Sequence, residues 1–116
     1  MKRIIQRSHN LCVLISSIVM PNIADHIQDA QSRGYPSILT RTTDRDRIRR
    51  NRREACGNFK GPDSCDEYPF ASTYEGGRGA SVRGVPVSEQ FIQGGVISAF
   101  YNLNGIPDGG QFRVIT

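Results

Sequence analysis

Apolar residues are scarce in this chain. They make up 37% of its 116 residues, a low share for a globule that must bury its own core. A chain of this length builds one modest domain and not two. No stretch is long and apolar enough to cross a membrane, and there is no internal repeat. Histidine is limited to His9 and His26, and neither is close in sequence to the chain's acidic motif. With three scattered cysteines, these histidines show no spacing suited to zinc. Lysine is missing between Arg41 and Arg53, where seven arginines stand instead.

What is present is turn-forming and basic. Twelve glycines and six prolines mark many turns. A formal charge of +4 and an isoelectric point near 9.3 favour an acidic partner, of which nucleic acid is the commonest. The arginine run has two readings. Asp44, Asp46 and Glu54 are near enough for local ion pairs on a solvated face. If residues 44–55 form a helix, however, Arg45, Arg49, Arg52 and Arg53 recur at three- and four-residue spacing along one side. Their planar guanidinium groups match phosphate and would supply salt-sensitive affinity without sequence reading.

The periodicities predict a mixed domain. Residues 11–19 read as a first strand, rich in β-branched Val13, Ile15, Ile18 and Val19. A signal-like leader is the other reading of this segment, since Lys2, Arg3 and Arg7 precede the apolar run, but it lacks a clear cleavage site. Residues 1–19 are thus taken as an N-terminal segment and 20–116 as the domain proper. A helix over 22–32 puts Ile23, Ile27 and Ala30 on one face, and Gly34 stops it. After Pro36 comes a strand at 37–40, then the arginine helix. Strands follow at 68–72 and 80–85, a helix at 88–102 carrying Ile92, Val96, Ala99 and Phe100, and a closing strand at 112–115. The two histidines are assigned no chemistry, His26 being expected as an ordinary helix-face residue.

Cys56 and Cys65 flank eight residues that include Gly57, Gly61 and Pro62, which suits a short disulfide-closed loop rather than a zinc site. Such a bridge implies an oxidising destination outside the cytoplasm, so a secreted or exported protein. Cys12 lies in an apolar stretch and is expected as a buried thiol.

The most informative segment is 65–83. Asp66 and Glu67 are adjacent, Glu75 follows, and glycines and arginines are interleaved with them. Carboxylates placed beside a run as apolar as Tyr68-Pro69-Phe70-Ala71 can bind a hard metal ion or move a proton. Arg78 and Arg83 suit a phosphate-bearing substrate. The competing reading is a decorated surface turn.

Asp66-Glu67-Tyr68-Pro69-x-Ala71 followed by Glu75-Gly76-Gly77-x-Gly79-Ala80-Ser81-Val82 resembles the signature of the NucA/NucB family of small bacterial deoxyribonucleases. Pro21 through Ala30 is similar to the family's first helix. Ser88-Glu89-Gln90 through Gly95, with Asp108-Gly109, is similar to its C-terminal half. The resemblance covers about residues 20–116. It implies an α+β fold: a small domain with a central antiparallel sheet, flanking helices and a ββα-metal motif.

It also implies roles. Asp66 falls where other ββα-metal enzymes carry a histidine, making it the expected general base, with Glu67 and Arg83 as further catalytic residues. The divalent ion, magnesium or manganese, would be held from the start of the last helix. There this chain has Gln90 where Asn is common in the family, so Glu89, Gln93 or Glu75 could replace it. In the structural alternative Ser88 caps that helix and Glu89 is a favourable first-turn charge. The reading is a monomeric, metal-dependent, sequence-independent DNA endonuclease. It would be an exported nuclease or the nuclease domain of a toxin, the latter implying an immunity or inhibitor protein. The other class is a secreted basic module that binds nucleic acid through Arg45, Arg49, Arg52, Arg53 and Arg78 without cutting it.

Overall fold

The computed structural model describes residues 10–116; the basic residues before Asn10 lie outside it. In chain order the elements are β1 (Cys12–Leu14), α1 (Pro21–Ser32), β2 (Ile38–Thr40), α2 (Arg45–Cys56), β3 (Ser64–Tyr68), β4 (Ser81–Val85), α3 (Val87–Leu103) and β5 (Gln111–Ile115). The fold class is α+β, as expected.

The sheet arrangement differs from a single antiparallel sheet. β5 lies between β1 and β2, parallel to the first and antiparallel to the second, and β3 with β4 forms a separate antiparallel pair. The core joins both layers: Val13, Ile15, Leu39, Phe112 and Val114 from the sheet, Ile23 and Ile27 from α1, and Tyr68 and Val85 from the β3–β4 pair.

Two strands are placed differently from the sequence reading. The β-branched run at 11–19 yields only Cys12–Leu14. Ser16 ends it by local bonding, its hydroxyl accepting from the Ile18 N–H and its carbonyl from the Met20 N–H, an alternative to the ladder. Ile18 is left exposed. Cys12 is exposed rather than buried, because strand alternation turns Val13 inward. The strand expected at 68–72 runs instead over Ser64–Tyr68, since Pro69 has no N–H for the ladder, and Phe70–Thr73 forms a turn closed by Thr73 N–H on the Phe70 carbonyl. Asp66 and Glu67 are therefore inside a strand, not ahead of one.

The helices fall close to expectation. Pro21 opens α1, where its missing N–H costs nothing. Asp44 caps α2, its carboxylate accepting from the Asp46 and Arg47 N–H groups. α2 is tied down by Asn51, whose Nδ2 donates to the Ala71 and Thr73 carbonyls. Gly77 packs against that side chain with φ +97°, and a Cβ there would stand 2.7 Å from Asn51 Oδ1. Only glycine fits. α3 starts at Val87, so Ser88 lies within its first turn and makes no capping bond.

Candidate active site

Because Asp66 and Glu67 are consecutive in β3, their side chains leave opposite faces of the strand. Asp66 meets His26 of α1, and Glu67 faces Arg52 of α2, with Nε 4.0 Å from Oε2. Between α2, β3, the Phe70–Ser72 turn and α3 opens a cleft of about 580 Å³, lined on its polar side by Arg52, Asp66, Glu67, Gln90 and Gln93. Phe70, Ile97, Tyr101 and the disulfide partners Cys56 and Cys65 give it an apolar wall.

The disulfide falls where the spacing put it, joining the end of α2 to the residue before Asp66. It fixes the approach of the arginine helix to the carboxylates. A second hollow of about 400 Å³ is bordered by Arg41, Arg45, Arg49 and Arg52, and it shares Arg52, Ser72 and Tyr101 with the cleft. The arginine face of α2 thus continues directly from the carboxylates.

Burial pushes both acids up. Asp66 is raised above the usual carboxylate range by desolvation, opposed by the hydrogen bond and charge of His26. Glu67 is raised to about 7, first by burial, with Arg52 opposing and Asp66 adding to the rise. Acids at a cleft that are raised above their ordinary range are better proton acceptors than free carboxylates.

The polar groups of the cleft have spare capacity for a ligand. Glu67 Oε1 and Gln93 Nε2 are buried without a hydrogen-bond partner among the described residues. Gln93 lies beside Asp66 and favours its ionised form, although Nε2 makes no hydrogen bond to it. Gln90 donates from Nε2 to the Cys65 carbonyl at 2.8 Å, which leaves its carbonyl oxygen uncommitted. An unpartnered carboxylate oxygen among carboxamides is a donor set that suits magnesium or manganese. Among the described residues no three His, Cys, Asp or Glu side chains cluster as a metal cage. An ion here would therefore keep several waters.

Other expected site residues are engaged elsewhere. Glu89 is buried against the amino end of α1, accepting from the Asn22 and Ile23 N–H groups. Glu75 accepts from the Thr40 N–H and hydroxyl. Arg83, opposite Asp66 in the β3–β4 register, reaches out to Asp25 at 2.7 Å. Arg78 is exposed and pairs with Glu54, and Arg53 borders neither hollow.

His26 does sit on a face of α1, as expected, but the fold brings it against the motif from which it is distant in sequence. It is fully buried, with Nδ1 2.7 Å from Asp66 Oδ2 and Nε2 2.9 Å from Ser81 Oγ. The signal was available: His26 lies three residues after Ile23 and four before Ala30, on the apolar face of α1.

The family model described as Deoxyribonuclease NucA/NucB matches residues 27–115, which include the whole β3–β4–α3 unit and the arginine helix. The chain belongs to the NucA/NucB deoxyribonuclease family. Among curated proteins, none matched it.

Proposed function

We propose that this chain is a metal-dependent, sequence-independent DNA endonuclease in which Asp66 is the general base and β3, β4 and α3 act as the ββα-metal unit. Family membership supports the nuclease activity. The observation that carries the finer reading is the Asp66–Glu67 pair at a cleft that runs on into the arginine face of α2.

In this mechanism the arginines hold the backbone phosphates of one strand and bring a phosphodiester to the cleft mouth. Asp66 accepts a proton from a water molecule as its oxygen attacks phosphorus in line with the leaving oxygen. Glu67, with Gln90 and Gln93, would hold the divalent ion, whose chemistry is to stabilise charge on the phosphate and the leaving oxygen. Arg52, 4.0 Å from Glu67, opposes the rise that burial imposes on that acid and is placed to meet the same phosphate.

The Cys56–Cys65 bridge supports action in an oxidising compartment, outside the producing cytoplasm. Among the described residues no helix is long and apolar enough to cross a membrane. A nuclease delivered as a toxin would need an immunity or inhibitor protein; one serving scavenging or biofilm turnover would not.

Plasmid nicking with and without EDTA tests the reading. The chain should convert supercoiled DNA to nicked forms, EDTA should stop it, and Asp66→Asn should lower the rate about 10²–10⁴-fold while binding persists. Uncut plasmid together with retained binding would leave a basic nucleic-acid-binding module. Retention of more than about a tenth of the activity by Asp66→Asn would remove Asp66 from the role of base.

A further inference from the structure

His26 stands one residue ahead of the segment that defines the family match, yet it bonds Asp66 directly. Asp66 Oδ2 is 2.7 Å from Nδ1, and on the other side of the ring Nε2 is 2.9 Å from Ser81 Oγ. Ser81 Oγ in turn accepts from Arg33 Nη2 at 2.8 Å. Arg33 is itself held by Asp29, to which its Nε donates at 3.0 Å. Five side chains, Asp29 and His26 of α1, Arg33 at its end, Ser81 of β4 and Asp66 of β3, are thereby joined in a line from the surface to the base.

The line has a direction. A guanidinium can only donate, so the Ser81 oxygen is the acceptor of the Arg33 bond. The serine hydroxyl then has its own hydrogen to place, and the neighbour in reach is His26 Nε2. With Nε2 accepting, the ring proton is on Nδ1 and is donated to Asp66 Oδ2. This arrangement gives the serine hydrogen and the ring proton each an acceptor. The reverse tautomer would leave the serine hydrogen idle and set a ring lone pair against a carboxylate oxygen, both costly in a buried site.

We infer that His26 is the positioning residue of the candidate base: held by Arg33 and Ser81 as the Nδ1–H tautomer, it fixes Asp66 Oδ2 and leaves Oδ1 as the oxygen presented to the cleft. This inference rests on the reading of Asp66 as the base. One oxygen of a carboxylate tied by a donor and the other aimed at a water is a defined geometry; a carboxylate free to rotate about χ2 is not, and loss of such orientation slows a reaction without weakening substrate binding. His26 touches neither water nor phosphate in this scheme and acts through Asp66 alone.

The test has two arms. In the first, the full chain labelled with ¹⁵N is studied by NMR, and the His26 imidazole signals are assigned by their absence from His26→Asn. At neutral pH Nδ1 should carry the proton and Nε2 should not; a proton on Nε2 alone overturns the inference. This arm needs no activity, so it stands apart from the nuclease reading, which an inert wild-type chain would reject by itself.

The second arm is steady-state cleavage of a linear duplex. Asparagine places an N–H near the position of Nδ1, whereas leucine places none. His26→Asn should stay within about tenfold of the wild-type kcat, while His26→Leu should fall by about 10²-fold or more, KM being unchanged in both. Equal losses in the two variants, or a change confined to KM, would show a purely structural histidine. Should His26→Leu fail to fold, Ser81→Ala takes its place. That change removes the bond that sets the tautomer and should lower kcat several-fold with KM unmoved, and an unaltered kcat would overturn the inference.

Discussion

Glu89 and Asn22 clasp α3 to α1: Glu89 Oε1 accepts from the Asn22 backbone N–H at 3.0 Å and Oε2 from the Asn22 side-chain amide at 2.7 Å. Oε1 also takes the Ile23 N–H at 3.0 Å. Met20, at the cap position of α1, offers no side-chain acceptor. The carboxylate from a helix 67 residues away therefore satisfies donors that a local cap would otherwise serve, and its charge complements the positive end of the helix dipole.

Replacing Glu89 should accordingly be a stability lesion first. Glu89→Ala should cost about 1–3 kcal/mol in urea unfolding, and Glu89→Gln less, because one carboxamide oxygen can still accept. Activity should fall only as far as α1, and with it His26, loosens. If instead Glu89→Ala abolished cleavage at undiminished stability, Glu89 would belong to the reacting centre, as its place at the start of the last helix suggests from sequence alone.

That contrast shows where the sequence speaks and where it does not. Local rules find α1 through Ile23, Ile27 and Ala30, find α2 through the arginine spacing over 44–55, and find the Cys56–Cys65 loop, because each is set by neighbours in the chain. The Asp66–Glu67 motif is legible as chemistry, but apolarity alone puts it ahead of its strand. Pro69 counts there as part of an apolar run, whereas in the fold it is the residue that ends the ladder. Long-range partnerships are out of reach: nothing near Glu89 announces Asn22, and nothing near Asp66 announces His26. The parallel pairing of β1 with β5 is equally silent, since strands this short carry no pattern.

Glu67 should make stability depend on pH. Its folded pKa of about 7 lies above the ordinary 4.5, so the neutral acid is favoured by folding. Its contribution is complete below about pH 4.5 and is lost as pH rises through about 7, amounting to at most roughly 3 kcal/mol. In EDTA the melting temperature should decline across that window, and Glu67→Gln should flatten the decline. An identical pH profile in the variant would show that Glu67 is not desolvated as described. Magnesium added at about pH 8 should raise the melting temperature of the wild type more than that of Glu67→Gln.

The disulfide should couple stability to activity. Closing a loop between residues nine apart in sequence restricts the unfolded chain by roughly 3 kcal/mol in the entropic model. Cys56→Ser/Cys65→Ser should lose stability of that order. It should also lose activity at temperatures where it remains folded, since the bridge sets α2 against the strand of Asp66. Mapping under non-reducing conditions should find Cys12 as the free thiol. Full activity in the folded double variant would show that the cleft holds its shape without the bridge.

The arginine face of α2 can be tested separately from the chemistry. Arg52 is a poor probe because it also lies against Glu67, so its removal would disturb the acid as well as the track. Arg45 and Arg49 border only the second hollow, which makes them the cleaner pair. Removing one arginine–phosphate bond should reduce the salt slope of duplex binding by about 0.9, so Arg45→Ala/Arg49→Ala should reduce it by about 1.8. The fall in affinity should be alike for unrelated sequences, and turnover of saturating substrate should change far less than in Asp66→Asn. Arg49 already pairs with Asp46, an exposed ion pair that phosphate can displace at little cost. An unchanged salt slope would mean that these arginines only solvate the helix. The DNA track would then have to run elsewhere, past Arg78 and Arg83.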